Sequence, residues 1–366
     1  MTVGYYAPMP PAPTGVADYA AALLDGLSLH GRVALAPSRC DVPLYHIGNN
    51  HLHAAIYRRA LEHPGVVILH DAVLHHFLLG QLEESAYVEE FTYNYGVWSR
   101  SLASDLWRDR RVSGVDSRYF EYPMLRRLAE RSLAVVVHNP AAAELVQRHA
   151  PSARIVEIPH LFIPTASLSD ADVIHYRRHL GLAPDTFVFG VFGYLRESKR
   201  LISVLDAFAG VHRQIHRTAL VIAGQFTSPD LEHAVARLLN TPGIIRLPHL
   251  SDTEFRLATA AVDACINLRY PSAGETSGIV IRLMGSGKPV FLTDSPECAR
   301  FPEDACIRIP SGPAERESLR LHMILVSSMS DVVRAIGHRG ASHIQTHHRV
   351  EAVSKQFWDL LCDFCT

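Results

Sequence analysis

The chain has 366 residues, 48% hydrophobic and 20% charged, which excludes a disordered polypeptide and suffices for roughly two globular domains. A formal net charge of −2 lacks the basic signature of nucleic-acid binding, so no nucleic-acid partner is expected. No apolar run reaches the ~20 residues of a membrane span, Met1–Tyr6 has neither the basic nor the apolar region of a signal peptide, and six dispersed cysteines form no disulfide framework; the expected location is cytoplasmic.

Short Val- and Ile-rich runs alternate with longer stretches at helical spacing, the pattern of parallel sheets built from βαβ units. In the first half, strands are predicted at 2–6, 33–36, 43–47, 65–69, 133–137 and 154–158. A helix at 17–29 carries Leu23, Leu24 and Leu27 on one face. Residues 84–131 contain no convincing strand and read as a helical insertion. The pattern pauses in the polar loop 163–170 and then resumes. Strands follow at 186–192, 218–223, 244–247, 263–268, 289–293 and 306–309, with helices at about 198–213, 229–240, 252–261 and 276–286. The division is a Rossmann-like domain over 1–163, a second over 164–345, and an amphipathic end at 346–366. In open parallel sheets ligands bind beyond the carboxyl ends of strands, so the motifs that follow strands carry the functional reading. Two such sheets facing one another would put the site in a cleft.

After the first strand, Pro8–Thr14 rigidifies a loop, Gly15 permits close backbone approach to a ligand, and Asp18 falls in the first helical turn. Asp18 either complements the helix dipole or meets the ligand. Val66-Val-Ile-Leu-His-Asp71 puts His70 and Asp71 just past a buried strand, open to a general-base or a purely structural reading. No Gly-x-Ser-x-Gly elbow supplies a nucleophile, which argues against hydrolase chemistry. His138 and Asn139 end the run Ala134–Val137, and His160 ends the strand before the polar loop.

In the second half, Phe187-Val-Phe-Gly-Val-Phe-Gly193 leads into Tyr194-Leu-Arg-Glu-Ser-Lys-Arg200 and a helix. Cations at a helix start oppose its dipole unless an anion is bound, so Arg196 and Lys199 suggest a phosphate clamp; the alternative is a solvated basic loop. The richest segment is Arg269-Tyr-Pro-Ser-Ala-Gly-Glu-Thr-Ser-Gly278, followed by Ile279 and, after one helix, Gly287-Lys-Pro289. A helix opening near Thr276 would offer unsatisfied amides to a diphosphate, with Glu275 at its mouth to accept bonds from sugar hydroxyls. Equally, Glu275 complements the dipole while Thr276 or Ser277 caps the helix.

These segments together resemble the retaining GT-B glycosyltransferases of family 4, the group 1 glycosyl transferases, in order from residue 8 to about 294. The resemblance implies two Rossmann-like domains across a cleft, with the C-terminal helix crossing back to the first. It implies a hexose-type transfer from a nucleotide-diphosphate sugar to a glycan, lipid-linked or small-molecule acceptor in glycan biosynthesis, with retention. By the same resemblance His70, Asp71 and Glu275 orient the reacting sugar or acceptor. Gly15, His138, Arg196, Lys199, Gly274, Thr276, Ser277, Gly278 and Ile279 bind the donor. No cofactor and no metal are expected, because Lys199 and the 276–279 amides would stabilise the leaving diphosphate.

Departures from the family pattern are visible. The second glutamate, which holds ribose, is Leu283 here; the arginine after the strand glycine is Tyr194; Asn139 replaces a small hydroxyl residue and Leu161 a glycine. Leu283 and Tyr194 keep open a catalytically weak nucleotide-sugar-binding or scaffold protein. A two-Rossmann oxidoreductase is disfavoured because Gly-x-Gly-x-x-Gly is absent. Cys362-Asp-Phe-Cys365 stands alone, and the 22 histidines, His51, His53, His75, His76, His347 and His348 among them, form no zinc-spaced set. Residues 100–131 hold eight Arg against five acidic residues, a solvated face or a peripheral contact with the inner membrane surface.

Overall fold

The computed structural model describes residues 1–164, 168–247 and 250–365, so residues 165–167 of the polar loop expected at 163–170 lie outside it. The chain forms two compact units. The N-terminal unit comprises Met1–Ile163, Pro271–Gly278 and His347–Thr366; the C-terminal unit comprises Pro164–Tyr270 and Ile279–Thr346.

The N-terminal unit is built on β1 (Thr2–Tyr6), β2 (Arg32–Leu35), β3 (Val42–Ile47), β4 (Val66–Leu69), β5 (Ala134–Val137) and β6 (Ile155–Glu157). They form one parallel sheet in the order β2-β1-β3-β4-β5-β6. Parallel strands buried on both faces read as continuous apolar runs, and Val66-Val-Ile-Leu69 is buried throughout. Successive side chains alternate between two cores. Val67, Leu69, Val135 and Val137 face one that includes the helical insertion. Val66, Ile68, Ala134 and Val136 face another, completed by Leu23 and Leu27 of the helix Gly15–Ser28 and by Val353, Phe357 and Leu361 of the helix Val350–Cys362. The final helix thus belongs to the N-terminal core. The insertion is helical, over Glu84–Tyr95, Arg100–Asp109, Arg118–Glu121 and Arg126–Arg131.

The C-terminal unit carries β7 (Phe187–Phe192), β8 (Thr218–Ala223), β9 (Ile244–Leu247), β10 (Ala264–Asn267), β11 (Val290–Thr293) and β12 (Ile307–Ile309). Its parallel sheet runs β12-β11-β10-β7-β8-β9. The order reverses direction between β7 and β10, the crevice where open α/β sheets bind ligands. In the N-terminal sheet the reversal lies between β1 and β3. Three helical expectations shift: the helix expected from about 198 begins at Leu201, after a 3-10 turn over Glu197–Lys199. The helix predicted over 229–240 ends at Val235, where the Ala236 amide donates to the His233 carbonyl and tightens the turn. The helix expected near Thr276 begins at Gly278, because both ends of Gly274–Thr276 are held outside it.

Candidate functional site

In the N-terminal unit, the loop after β1 closes on Thr14, whose hydroxyl caps the helix by accepting from the Val16 amide at 3.3 Å. A Cβ built on Gly15 would meet nothing within 4 Å, so this first helical residue faces open space. One turn further, Tyr19 is fully buried among histidines. Its ring centre lies 4.9 Å from that of His70, 5.3 Å from His138 and 4.7 Å from His160.

His70 follows β4 and is tied to β3 by its amide, which donates to the Ile47 carbonyl at 2.8 Å. Its Nε2 lies 3.0 Å from Nδ1 of His46, a residue inside β3. Asp71 Oδ2 accepts from the Asn49 amide at 2.7 Å, and Asn49 Oδ1 accepts from the Phe77 amide at 2.7 Å. Asp71 therefore fastens the turn after β3. His138 and His160, at the ends of β5 and β6, donate through Nδ1 to the Ile158 and Leu161 carbonyls at 2.8 and 2.7 Å. His53 donates likewise to the His46 carbonyl at 2.8 Å. Burial holds all these imidazoles in the uncharged form. Burial pushes the pKa values of His53 and His138 down to about 4 and that of His160 to about 3, while His46 and His70 lie well below the ordinary range by burial and then by neighbouring histidines.

Asn139 is the residue whose importance the sequence understates. Its Oδ1 caps the helix Pro140–His149 by accepting from the Ala142 amide at 2.8 Å. Its Nδ2 donates to the Gly274 carbonyl and to Thr276 Oγ1, each at 3.0 Å. The same loop is seated again where the Val73 amide donates to the Ala273 carbonyl at 3.0 Å. Gly274 has φ +74° and a Cβ there would stand 2.8 Å from that of Ala72, so both conformation and space call for glycine. Glu275 folds onto its own loop: Oε2 accepts from the Ala273 amide at 2.8 Å and from the Ser272 hydroxyl at 3.3 Å. A Cβ on Gly278 would meet His160 Nε2 at 3.3 Å. The N-terminal unit thus gathers His70, His138, Gly274, Glu275 and Thr276 at strand ends.

In the C-terminal unit, the residues near the β7/β10 reversal are Gly193, Tyr194, Arg196 and Lys199. Arg196 is exposed, its guanidinium 6.0 Å from the Tyr194 ring centre. Lys199 is buried and closes a 3-10 turn, Glu197–Lys199, with the helix proper starting at Leu201. Its ammonium donates to the Phe192 carbonyl at the end of β7, and a Cβ on Gly193 would lie 3.2 Å from Nζ and 3.5 Å from the Ile279 side chain. Arg200 pairs with Glu315 at 2.9 Å. These partners remove the argument that a helix dipole leaves the cations in want of an anion: Lys199 has a strand-end carbonyl and Arg200 a carboxylate. Lys288 of Gly-Lys-Pro serves structure, donating to the Ala260 and Val262 carbonyls at 2.7 and 2.6 Å. Leu283, 1% exposed, is a core residue of the helix Gly278–Gly285.

His46 and Tyr19 escaped the sequence reading. The available signal for His46 was a polar residue within an otherwise apolar strand, where burial demands a partner. Among the described residues no group of three or more His, Cys, Asp or Glu side chains is arranged to hold a metal ion. The cysteines, Cys362 and Cys365 included, are free thiols, and no described helix is long and apolar enough to cross a membrane.

No family model and no curated protein matches the chain. Solved structures do match over almost its whole length. A sucrose-phosphate synthase from Thermosynechococcus elongatus shares 15% identity at a TM-score of 0.69, covering 99% of this chain and 98% of that one. WaaG, a glycosyltransferase involved in lipopolysaccharide biosynthesis, shares 15% at 0.64, covering 99% of both chains. Anabaena HepE, solved in complex with UDP-glucose, shares 14% at 0.65, covering 99% and 100%. At these identities the likeness is one of fold, and the fold is GT-B.

Proposed function

We propose that this protein is a glycosyltransferase that takes a hexose-type sugar from a nucleotide-diphosphate sugar and passes it to a glycan, lipid-linked or small-molecule acceptor. The observation that carries the reading is the loop Ser272–Thr276. Asn139, next in sequence to His138, and Val73, three residues after His70, hold this loop at Ala273, Gly274 and Thr276, and Gly278 at the start of the following helix stands against His160. Full-length likeness to transferase structures, one of them holding UDP-glucose, supports it.

In this reading Lys199, with Arg196, and the amides of Thr276, Ser277, Gly278 and Ile279 meet the donor diphosphate and stabilise the charge that builds on it as the glycosidic bond breaks. Glu275 and His70 orient the sugar, Asp71 acts through the turn it fastens, and Gly15 leaves room for phosphate or sugar. No metal is invoked, and the acceptor attacks from the leaving-group face, retaining configuration. Family 4 membership and a cytoplasmic location belong to the same reading. The same helical insertion exposes Val97 and Trp98, 78% and 75%, and also Arg100, Arg110 and Arg111, side chains that suit peripheral contact with an anionic membrane surface.

Nucleotide-diphosphate release from UDP-, GDP- and ADP-sugars, measured in EDTA, tests this. One donor class should be consumed, and Lys199→Ala and Glu275→Ala should each slow consumption by more than about tenfold. A specific observation favours a second reading, a nucleotide-sugar-binding or scaffold protein: buried Leu283 stands where a ribose-holding carboxylate is expected. Binding without consumption of any donor would select that reading.

A further inference from the structure

The short contact between His46 and His70 contains information about which proton His70 carries. His46 Nδ1 and His70 Nε2 are 3.0 Å apart, and one of the two must donate. Both rings are buried and uncharged, so a single proton lies between them. If His70 Nε2 carried it, His46 would bear its other proton on Nε2, which is buried with no hydrogen-bond partner. Orphaned buried N–H groups are rarer than orphaned acceptors, because a stranded donor forfeits its full solvation. If His46 Nδ1 carries the proton, its bare Nε2 is the unpaired atom. The surrounding rings follow the same pattern. His53 and His138 face carbonyl oxygens through Nδ1, which fixes the proton there and leaves a bare, buried Nε2 in each. The hydrogen-bond network thus assigns one tautomer throughout the cluster.

We propose that His46 is a positioning residue for His70: it donates from Nδ1 to His70 Nε2, holding His70 as the Nδ1–H tautomer, so that His70 meets its ligand as a hydrogen-bond donor through Nδ1. This rests on the reading that His70 contacts a sugar. It narrows the role His70 can play there, because a ring whose Nε2 is engaged and whose Nδ1 is already protonated has no free lone pair with which to take a proton. His70 then grips an oxygen of the ligand, and deprotonation of the acceptor falls to another group. The backbone bond from His70 N to the Ile47 carbonyl keeps the two strands in register and hence the two rings at this distance.

The test is long-range proton–nitrogen NMR on the full chain labelled with 15N-histidine, with His70 assigned by difference from His70→Ala. The wild type should show His70 protonated at Nδ1 and bare at Nε2. A His70 signal protonated at Nε2 overturns the inference whether or not the protein is a transferase. His46→Asn can keep a donor near the Nδ1 position and should preserve the His70 tautomer, whereas His46→Leu should release it to a mixture. If UDP-glucose is consumed, His46→Leu should lower kcat about tenfold with KM for UDP-glucose little changed, and His46→Asn should restore most of it. An unchanged tautomer and unchanged kcat in His46→Leu contradict the proposal. A shifted tautomer with no consumption of UDP-glucose by the wild type supports the positioning and counts against the functional reading alone.

Discussion

Asn139 and Thr276, far apart in sequence, are joined side chain to side chain at 3.0 Å, with the Gly274 carbonyl at the same distance from the same amide nitrogen. One side chain therefore does three things: it caps the helix that follows β5, holds the Gly274 carbonyl and holds the Thr276 hydroxyl. The three tasks separate by chemistry. Asn139→Asp keeps the cap to Ala142 but replaces the donor by an oxygen facing a carbonyl. We expect about 1–3 kcal/mol loss in urea unfolding and weaker nucleotide-sugar binding by calorimetry. Unchanged binding in Asn139→Asp would detach the loop from donor recognition.

Gly274→Ala tests the same loop from the other side. The new Cβ would stand 2.8 Å from that of Ala72 at φ +74°, so loop and strand end must move apart. A stability loss of about 1–3 kcal/mol is expected, with a larger proportional loss of donor turnover than of unfolding midpoint. A variant with full turnover would place the loop outside the reaction.

Buried histidines, in the cluster around His70 and at His75 against Tyr87, make the fold acid-labile. His53 and His138 fall from the ordinary value of 6.5 to about 4, and His75 and His160 to about 3, by burial first. Because the folded values are depressed, the unfolded chain binds more protons between those values and 6.5. The stabilisation is complete above about pH 6.5 and is lost as pH falls through the window toward 4. Each such histidine contributes about 1.4 kcal/mol per pH unit there. The thermal midpoint should drop steeply between pH 6.5 and 4.5; a flat profile would mean that the histidines are solvated.

Arg200 and Glu315 should respond unequally. Glu315 is 1% exposed, whereas the Arg200 side chain is one-third exposed. Arg200→Ala strands a buried carboxylate and should cost about 3–5 kcal/mol. Glu315→Ala leaves a guanidinium that can reach water and should cost less. The reverse order in denaturant unfolding would show that the carboxylate finds another partner.

Much of this architecture was legible. Buried parallel strands announce themselves as Val- and Ile-rich runs, and every described strand lies within one residue, at each end, of its predicted span. The strand-end position of His70, His138 and Gly193 followed directly. What stayed hidden depends on contacts remote in sequence. Nothing near Thr276 shows that Asn139 will hold its hydroxyl and delay the helix to Gly278. Nothing near Lys199 shows that its ammonium will sit on the Phe192 carbonyl. His46 pointed at a partner without naming His70.

The most direct test of the central claim is calorimetric titration of the full chain with UDP, GDP and ADP in EDTA, repeated on Lys199→Ala. The wild type should bind one nucleotide diphosphate saturably, and the variant should lose that binding. Failure of all three to bind would contradict a nucleotide-sugar-dependent transferase and leave the chain with the fold but not the reaction.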